Sequence, residues 1–255
     1  GRRELVGFTR CSNILGSINP VKEITDFVHA NNALVCVDGV AYAPHRQVDV
    51  QKWDVDFYVF SWYKTFGPHL AVMYGKYELL YEMPGINHYF FKKEDVPYKF
   101  QPGNFNFELT YGLLGIIEYY EEFFKKHFPK KRNLKLQEKL EKCFQLIAKH
   151  EEKISAPLIS FLQSKPEVRI IGLDTADASK RVPTISFVHS AIKSDEIVEQ
   201  VDEHRIGIRF GDFYAKKLIA DAGLTANNGV VRVSLVHYNS AEEVKKLMRI
   251  LNRIL

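Results

Sequence analysis

The sequence is short of several things, and each shortage narrows what it can be. Its 255 residues include three cysteines, Cys11, Cys36 and Cys143, odd in number and scattered along the chain. That is no disulfide framework; it fits a reducing compartment, and a cytoplasmic location is expected. No apolar run is long enough to span a bilayer and no signal-peptide pattern opens the chain, so no membrane partner is expected. Charge of one sign is also lacking, since 35 basic residues face 31 acidic ones for a net +4. The basic runs Lys125-Lys126 and Lys130-Lys131-Arg132 carry no interleaved aromatics, so they read as solvated helix faces rather than a nucleic-acid surface. There is no glycine-rich phosphate loop, no Ser/His/Asp order, no internal repeat and no low-complexity tract. The first residue is Gly1 rather than Met, and residues 4–9 already read as a buried strand. The chain is therefore expected to start inside a domain, as a fragment, a processed form or an incomplete gene model.

What is present is enough apolar residue, 46%, for a real core. After the strand at 4–9 and a loop through Cys11-Ser12-Asn13, Asn19-Pro20 reads as a helix start, with Asn as N-cap and Pro at the first helical position. Val21, Ile24, Phe27 and Val28 supply that helix's apolar stripe. Ala33 to Val37 is a continuous apolar run bounded by Asn31-Asn32 and Asp38-Gly39, as suits a buried parallel strand. Asp56 to Phe60 is a second such run and His69 to Tyr74 a third. Strand, helix, strand with short joins is the βαβ pattern of an open α/β sheet, which binds ligands beyond the carboxyl ends of its strands. Asp38 closes one strand and Ser61 to Lys64 the next, so an acid and a lysine are expected on one rim.

The second half has a different character. Helical spacing runs from Glu108 to about Phe124, a Lys-rich break covers 125–133, and a long helix runs from about Leu134 into the 150s, bent or restarted by Pro157. Beyond Pro166, strands at Val168–Ile171, Thr184–Val188, Ile206–Arg209 and Val230–Leu235 alternate with helices. Ser194 opens one helix, and Ser240-Ala241-Glu242-Glu243 is a capping box for the last, with a stripe of Val244, Leu247, Met248 and Leu251. Two domains are expected, an α/β domain over 1–134 and a small α+β domain over 135–255.

Chemistry concentrates in Ser61-Trp62-Tyr63-Lys64-Thr65-Phe66-Gly67-Pro68. Lys64 reads either as a surface lysine after a strand or, among aromatics that desolvate its amine, as a Schiff-base lysine. Ser61 and Tyr63 could hydrogen-bond a phosphate. Asp38 is either a turn residue before Gly39 or a carboxylate holding a pyridine nitrogen protonated, which makes the ring an electron sink. Arg232, flanked by valines in a strand, points to solvent or pairs bidentately with a substrate carboxylate; Arg209 is a weaker version of the same idea. Asp38, His45, Asp49 and His69 match no compact metal signature, and no metal is expected.

Several of these segments together resemble a known family. Val37-Asp38-Gly39, Pro44-His45, Val48-Asp49-Val50, the run from Asp56 to Lys64 and Gly67-Pro68 are similar to the class V aminotransferases, in their cysteine desulfurase-like branch. So are Ser12-Asn13-Ile14-Leu15-Gly16 with Ile18-Asn19-Pro20, Pro102-Gly103-Asn104-Phe105-Asn106-Phe107-Glu108-Leu109, and Val231-Arg232-Val233-Ser234-Leu235 with Tyr238-Asn239 and Glu242-Glu243. The resemblance implies the α/β fold of pyridoxal-phosphate enzymes of fold type I. The large domain would be truncated at its N-terminus and carry an interdomain helix, with a small C-terminal α+β domain following. It implies pyridoxal 5'-phosphate as cofactor, Lys64 as the Schiff-base lysine and general base, and Asp38 at the pyridine nitrogen. Ser61 would bind the phosphate, Tyr63 would stand where the family often has a phosphate-binding histidine, and Asn13 would lie near the cofactor and the substrate carboxylate. Arg232 would bind that carboxylate. Asn104 would fall where a neighbouring subunit usually offers a threonine, which implies a homodimer with shared active sites.

Four departures qualify what the resemblance implies. Ala41 replaces a glutamine that contacts the cofactor, and His69-Leu70 replaces a Gly-rich stretch. Tyr214 in Arg209-Phe210-Gly211-Asp212-Phe213-Tyr214 stands where the desulfurases' persulfide cysteine would be, and a phenol cannot carry sulfane sulfur as a thiolate does. The region supplying the histidine stacked over the cofactor is not in the chain. The expected function is a pyridoxal-phosphate enzyme acting on an amino acid, by transamination or as a C–S lyase. The alternatives are a catalytically silent dimerising paralogue and a desulfurase using another cysteine.

Overall fold

A computed structural model describes residues 4–85, 88–101, 103–131 and 133–255. Gly1, Pro102 of the loop motif and Arg132 of the basic run lie outside them. The chain divides into two compact units, one of residues 1–10 and 20–143, the other of 11–19 and 144–255. The division falls inside a long helix rather than in the polar break before it.

The first unit holds strands β1 (Leu5–Thr9), β2 (Leu34–Asp38), β3 (Phe57–Ser61) and β4 (Ala71–Gly75), ordered β1-β2-β3-β4. Its helices are α1 (Val21–Ala30), α2 (Val50–Trp53), α3 (Tyr77–Glu82), α4 (Phe107–Gly112) and α5 (Leu114–His127). β1, β2 and β3 are parallel, in the register Thr9 beside Asp38 and Asp38 beside Val59. The βαβ reading therefore holds, with Val35 and Val37 fully buried at the middle of the sheet.

Four local expectations need correcting. β4 is antiparallel to β3, with Ser61 opposite Ala71, because only the short turn at 62–70 joins them and a parallel return needs a crossover. β1 is an edge strand of this sheet with Leu5 and Val6 exposed, not a buried one. In α1 the N-cap is Pro20, with no side-chain cap, and Thr25 joins Val21 and Val28 on the buried face while Phe27 is exposed. Expected as a single helix, 108–124 is divided at Leu113 into α4 and α5, and α5 runs on through Lys125 and Lys126 to His127.

At the foot of this sheet, away from Asp38, one buried carboxylate gathers four elements. Asp56, just before β3, accepts from the Val35 N–H of β2 at 2.8 Å and lies 2.8 Å from His29 Nε2 of α1. Lys76, just after β4, reaches it at 3.1 Å and Asp54 at 2.7 Å.

α6 (Leu136–Gln163) is unbroken through Pro157, which neither ends nor restarts it. The second unit continues with β5 (Val168–Ile171), β6 (Thr184–His189), α7 (Ser194–Asp202), β7 (Arg209–Gly211), α8 (Lys216–Asp221), β8 (Val230–Ser234) and α9 (Ala241–Ile254). β7 starts later than expected and excludes Ile206 to Ile208. Its sheet is antiparallel, ordered β5-β6-β8-β7. One core joins Leu158 and Leu162 of α6, Val198 of α7 and Leu247 of α9 to Ile185, Phe187, Val231 and Val233 of the sheet. The capping box at Ser240 and Glu243 is present as expected. Strand alternation turns Ser186 and Arg232, paired across β6 and β8, to the other face. The segment 11–19 lies there: Ser186 Oγ donates to the Ile14 carbonyl at 2.6 Å and Arg232 Nη1 to that of Asn13 at 3.0 Å. Gly16 approaches so closely that a Cβ would fall 2.3 Å from the Thr184 carbonyl. Among the described residues no helix is long and apolar enough to cross a membrane.

Candidate functional site

In the first unit the parallel strands bring two of the expected residues to one rim. Asp38 ends β2; Ser61 ends β3 and leads into a 3-10 turn, Trp62–Thr65, that carries Tyr63 and Lys64. The main chain around Asp38 is pinned on both sides, since Arg10 N–H donates to its carbonyl at 2.7 Å and Gly39 N–H to that of Val59 at 2.8 Å. Its Oδ1 accepts from Val40 N–H at 2.9 Å. Asp38 is thus the turn residue its Asp-Gly pair suggests, and Oδ2 still has no hydrogen-bond partner among the described residues.

The turn bearing Lys64 is equally fixed. Trp62 N–H donates to Leu70, Gly67 N–H to Trp62 and Thr65 Oγ1 to Trp62, at 2.7, 2.9 and 2.9 Å. Phe66 closes it in the left-handed region, at φ 68°. A Cβ on Gly67 would fall 2.5 Å from Ile116 Cδ1, so α5 packs directly on this turn. Among the described residues the Lys64 amine has no hydrogen-bond acceptor and no acid partner; its recorded neighbour is the Tyr63 ring, whose centroid is 5.4 Å away. The desolvating aromatic shell expected around it is absent within this unit: Lys64 is exposed, and Tyr63 and Phe66 are exposed too. The side chains of a one-turn helix fan outward, and adjacency in sequence does not enclose the residue between them.

His69 has a place that sequence reasoning did not assign. Its imidazole stacks on Tyr63 with centroids 5.3 Å apart and planes 16° from parallel, which fixes the phenol beside Lys64. Asp49 is the N-cap of α2, accepting from Lys52 N–H at 2.9 Å. Among the described residues no group of three or more His, Cys, Asp or Glu is placed to hold a metal ion. Asn104 is exposed in the loop before α4, whose N-cap is Asn106, bonded to Leu109 N–H at 2.9 Å.

The second unit carries Asn13, Arg209 and Arg232. β7 and β8 place the two arginines directly opposite each other, but their surroundings differ. Arg209 is exposed and answered by Asp202 at 3.5 Å and by the Ile208 carbonyl at 2.6 Å. Arg232 is half-buried and has no carboxylate partner among the described residues. Its Nε is buried without a hydrogen-bond acceptor, and burial pushes its pKa down. Its guanidinium lies 3.6 Å from the centroid of the Phe213 ring, a neighbour that nothing in the spacing of residues 213 and 232 signals. Asn13 Nδ2 donates to the Phe213 carbonyl at 2.8 Å. Tyr214, beside Phe213, is fully exposed. A guanidinium desolvated and left without a counter-ion is suited to taking an external carboxylate.

Comparison with known proteins agrees in kind. The family model described as "Aminotransferase class-V" matches residues 1–147 and 143–247. "Aminotransferase-like protein FGM3" of Gibberella zeae is 39% identical over 100% of this chain and 60% of its own length. "Cysteine desulfurase-like protein ustD" of Aspergillus flavus is 35% identical over 99% of this chain and 55% of its own. Among solved structures, the apo cysteine desulfurase from Thermococcus onnurineus NA1 superposes with a TM-score of 0.82 at 24% identity, over 98% of this chain and 60% of that one, which shows a shared fold. The chain thus spans at most about 60% of the length of these relatives.

Proposed function

The chain belongs to the class V aminotransferase family, and on that premise we propose that it works in a pyridoxal-phosphate enzyme acting on an amino acid, with Lys64 as the lysine that joins the cofactor's aldehyde. One observation carries this reading: at the carboxyl rim of a parallel sheet, a hydrogen-bonded turn presents the amine of Lys64 with no acceptor or acid partner among the described residues. Asp38, on the neighbouring strand's end, keeps one oxygen uncommitted. The residues fit such a cofactor. Asp38 Oδ2 would take a protonated ring nitrogen, and Ser61 Oγ and the Tyr63 hydroxyl, neither with a hydrogen-bond partner among the described residues, would donate to its phosphate. Bound there, the cofactor supplies an electron sink for charge developing at the substrate's α-carbon.

The chain's own part in the chemistry is to bind, orient and move a proton. Arg232 holds the substrate carboxylate, the half-buried guanidinium exchanging a lost hydration shell for two charge-assisted hydrogen bonds. The Lys64 amine would take the proton from the substrate's α-carbon as general base. Asn13 supports Arg232 through its main-chain carbonyl. A homodimer in which Asn104 faces the partner's site is part of the proposal, supported by the exposed Phe105, Phe107 and Tyr111 around it.

Within this chain, the placement of the cysteines argues against the desulfurase reading. Tyr214 offers no thiol, Cys11 and Cys143 are buried, and burial together with the nearby Asp38 raises the Cys36 pKa away from the thiolate form that sulfur transfer needs. Transamination or β-elimination is the proposed outcome. Adding pyridoxal phosphate should produce a visible absorbance band, and borohydride reduction should fix the label on the peptide containing Lys64; Lys64→Ala should show neither. Label on another lysine, or an unchanged band in the Lys64→Ala variant, would end the proposal. Incubation with free cysteine should yield pyruvate, ammonia and free sulfide in equal amounts or no turnover; alanine with stoichiometric sulfane sulfur on the protein would restore the desulfurase reading.

A further inference from the structure

The group that sets the orientation of Arg232 is Phe213. Three residues of the second unit close a small ring of contacts. Arg232 Nη1 donates to the Asn13 carbonyl at 3.0 Å, Asn13 Nδ2 donates to the Phe213 carbonyl at 2.8 Å, and the Phe213 ring covers the guanidinium at 3.6 Å. A planar guanidinium this close to an aromatic centroid is held by its face, which leaves its edges for hydrogen bonding.

The loop that delivers the ring is held in an unfavourable backbone conformation. Phe213 and Tyr214 both lie in the left-handed region, at φ 50° and 66°, where residues with a Cβ are uncommon. Asp212 secures the loop, its Oδ1 accepting from Tyr214 N–H at 2.9 Å and its carbonyl from Ala215 N–H at 2.8 Å. Two consecutive left-handed residues without glycine persist only where their surroundings over-determine them, and such strain gathers at functional sites. Here it turns Phe213 inward onto Arg232 and leaves Tyr214 fully exposed.

With one face covered and Nη1 turned to the Asn13 carbonyl, Nε, buried without an acceptor among the described residues, and Nη2 are left uncommitted. Those two lie along one edge of the guanidinium and match the two oxygens of a carboxylate. We propose that Phe213 is a positioning residue that fixes the guanidinium plane so that the Nε–Nη2 edge receives the substrate's α-carboxylate. The site thereby discriminates carboxylates from their amides and from amines lacking that group. The inference rests on the reading of Arg232 as the carboxylate-binding residue.

The test follows the side-chain Nε–H resonance of Arg232 in the 255-residue chain while pyruvate or L-alanine is added, with L-alaninamide as the control that lacks the carboxylate. The ring of Phe213 should shift that resonance upfield in the wild type, and Phe213→Met should abolish the shift. Phe213→Met should weaken carboxylate binding about tenfold, the scale of a lost cation–π contact. Phe213→Tyr should bind within about threefold of wild type, and alaninamide should not bind to any form. If Arg232→Gln loses binding while Phe213→Met matches wild type, or if no ring-current shift is present, Phe213 has no positioning role and the carboxylate reading of Arg232 stands. If Arg232→Gln binds as wild type does, or the wild type shows no saturable binding, both readings fall. Should Phe213→Met not fold, the upfield shift and the Phe213→Tyr affinity still decide the matter.

Discussion

His29 Nε2 lies 2.8 Å from Asp56 Oδ2, and through that contact the end of α1 is tied to the start of β3 at the foot of the first unit's sheet. The same carboxylate receives Val35 N–H and Lys76 Nζ. Elements whose opposite ends form the Asp38–Lys64 rim are thus fastened at their other ends by one side chain.

That arrangement predicts acid lability. Burial would raise the Asp56 pKa, but the hydrogen bonds from His29, Val35 and Lys76 outweigh it and hold the carboxyl below its ordinary value. A carboxyl with a lower pKa in the folded than in the unfolded state contributes stability above the unfolded pKa, about 3.9. The contribution is lost as pH falls from there through the folded value. Urea midpoints measured from pH 5 to pH 3 should fall, and Asp56→Asn should flatten that dependence while costing about 3 kcal/mol at pH 7. An Asp56→Asn variant with the wild-type acid slope would show that other carboxylates control it.

Gly39 follows Asp38, and the reason for glycine there is the ring of Tyr58. A Cβ at position 39 would stand 2.0 Å from the Tyr58 hydroxyl and 2.1 Å from its Cζ, on a side chain that is itself fully buried. Gly39→Ala should cost about 2–3 kcal/mol through overpacking. Because the displaced backbone carries Asp38, affinity for pyridoxal phosphate should fall with it. Thermal unfolding and cofactor titration of the same variant check both, and an unperturbed Tm would refute the first.

Lys99 is a buried amine that serves structure. It donates to the carbonyls of Tyr81, Met83 and Lys93 at 2.9, 2.8 and 3.2 Å, satisfying the end of α3. Lys99→Met leaves those carbonyls without a donor and should cost about 2–4 kcal/mol. In a chain of this size that is a drop of roughly 5–10 °C in Tm. A loss under one degree would mean that water replaces the ammonium without penalty.

Pro157 sits exposed inside α6 and supplies no N–H to the helix ladder. Pro157→Ala should stabilise the second unit by about 1–2 kcal/mol, less than the roughly 3 kcal/mol of an unaccommodated proline. Chemical denaturation of the single variant measures it, and any destabilisation would assign the proline a packing role.

The features legible in the order of residues are those set by near neighbours. The run ending at Val37-Asp38 announces a buried strand because both of its faces are covered. The Ser240–Glu243 capping box is complete within four residues, and the rim position of Asp38 and Lys64 follows from strand polarity alone. The antiparallel turn of β4, the exposure of Phe27 and of the aromatics about Lys64, the assignment of 11–19 to the second unit's sheet and the stack of Phe213 on Arg232 were beyond that reach. Each depends on which distant surface meets a residue, and no periodicity encodes that meeting. Hydrogen-bond geometry along a strand or a helix turn is local physics. Desolvation, ion pairing and ring stacking belong to the folded chain, where residues far apart in sequence come within a few ångströms.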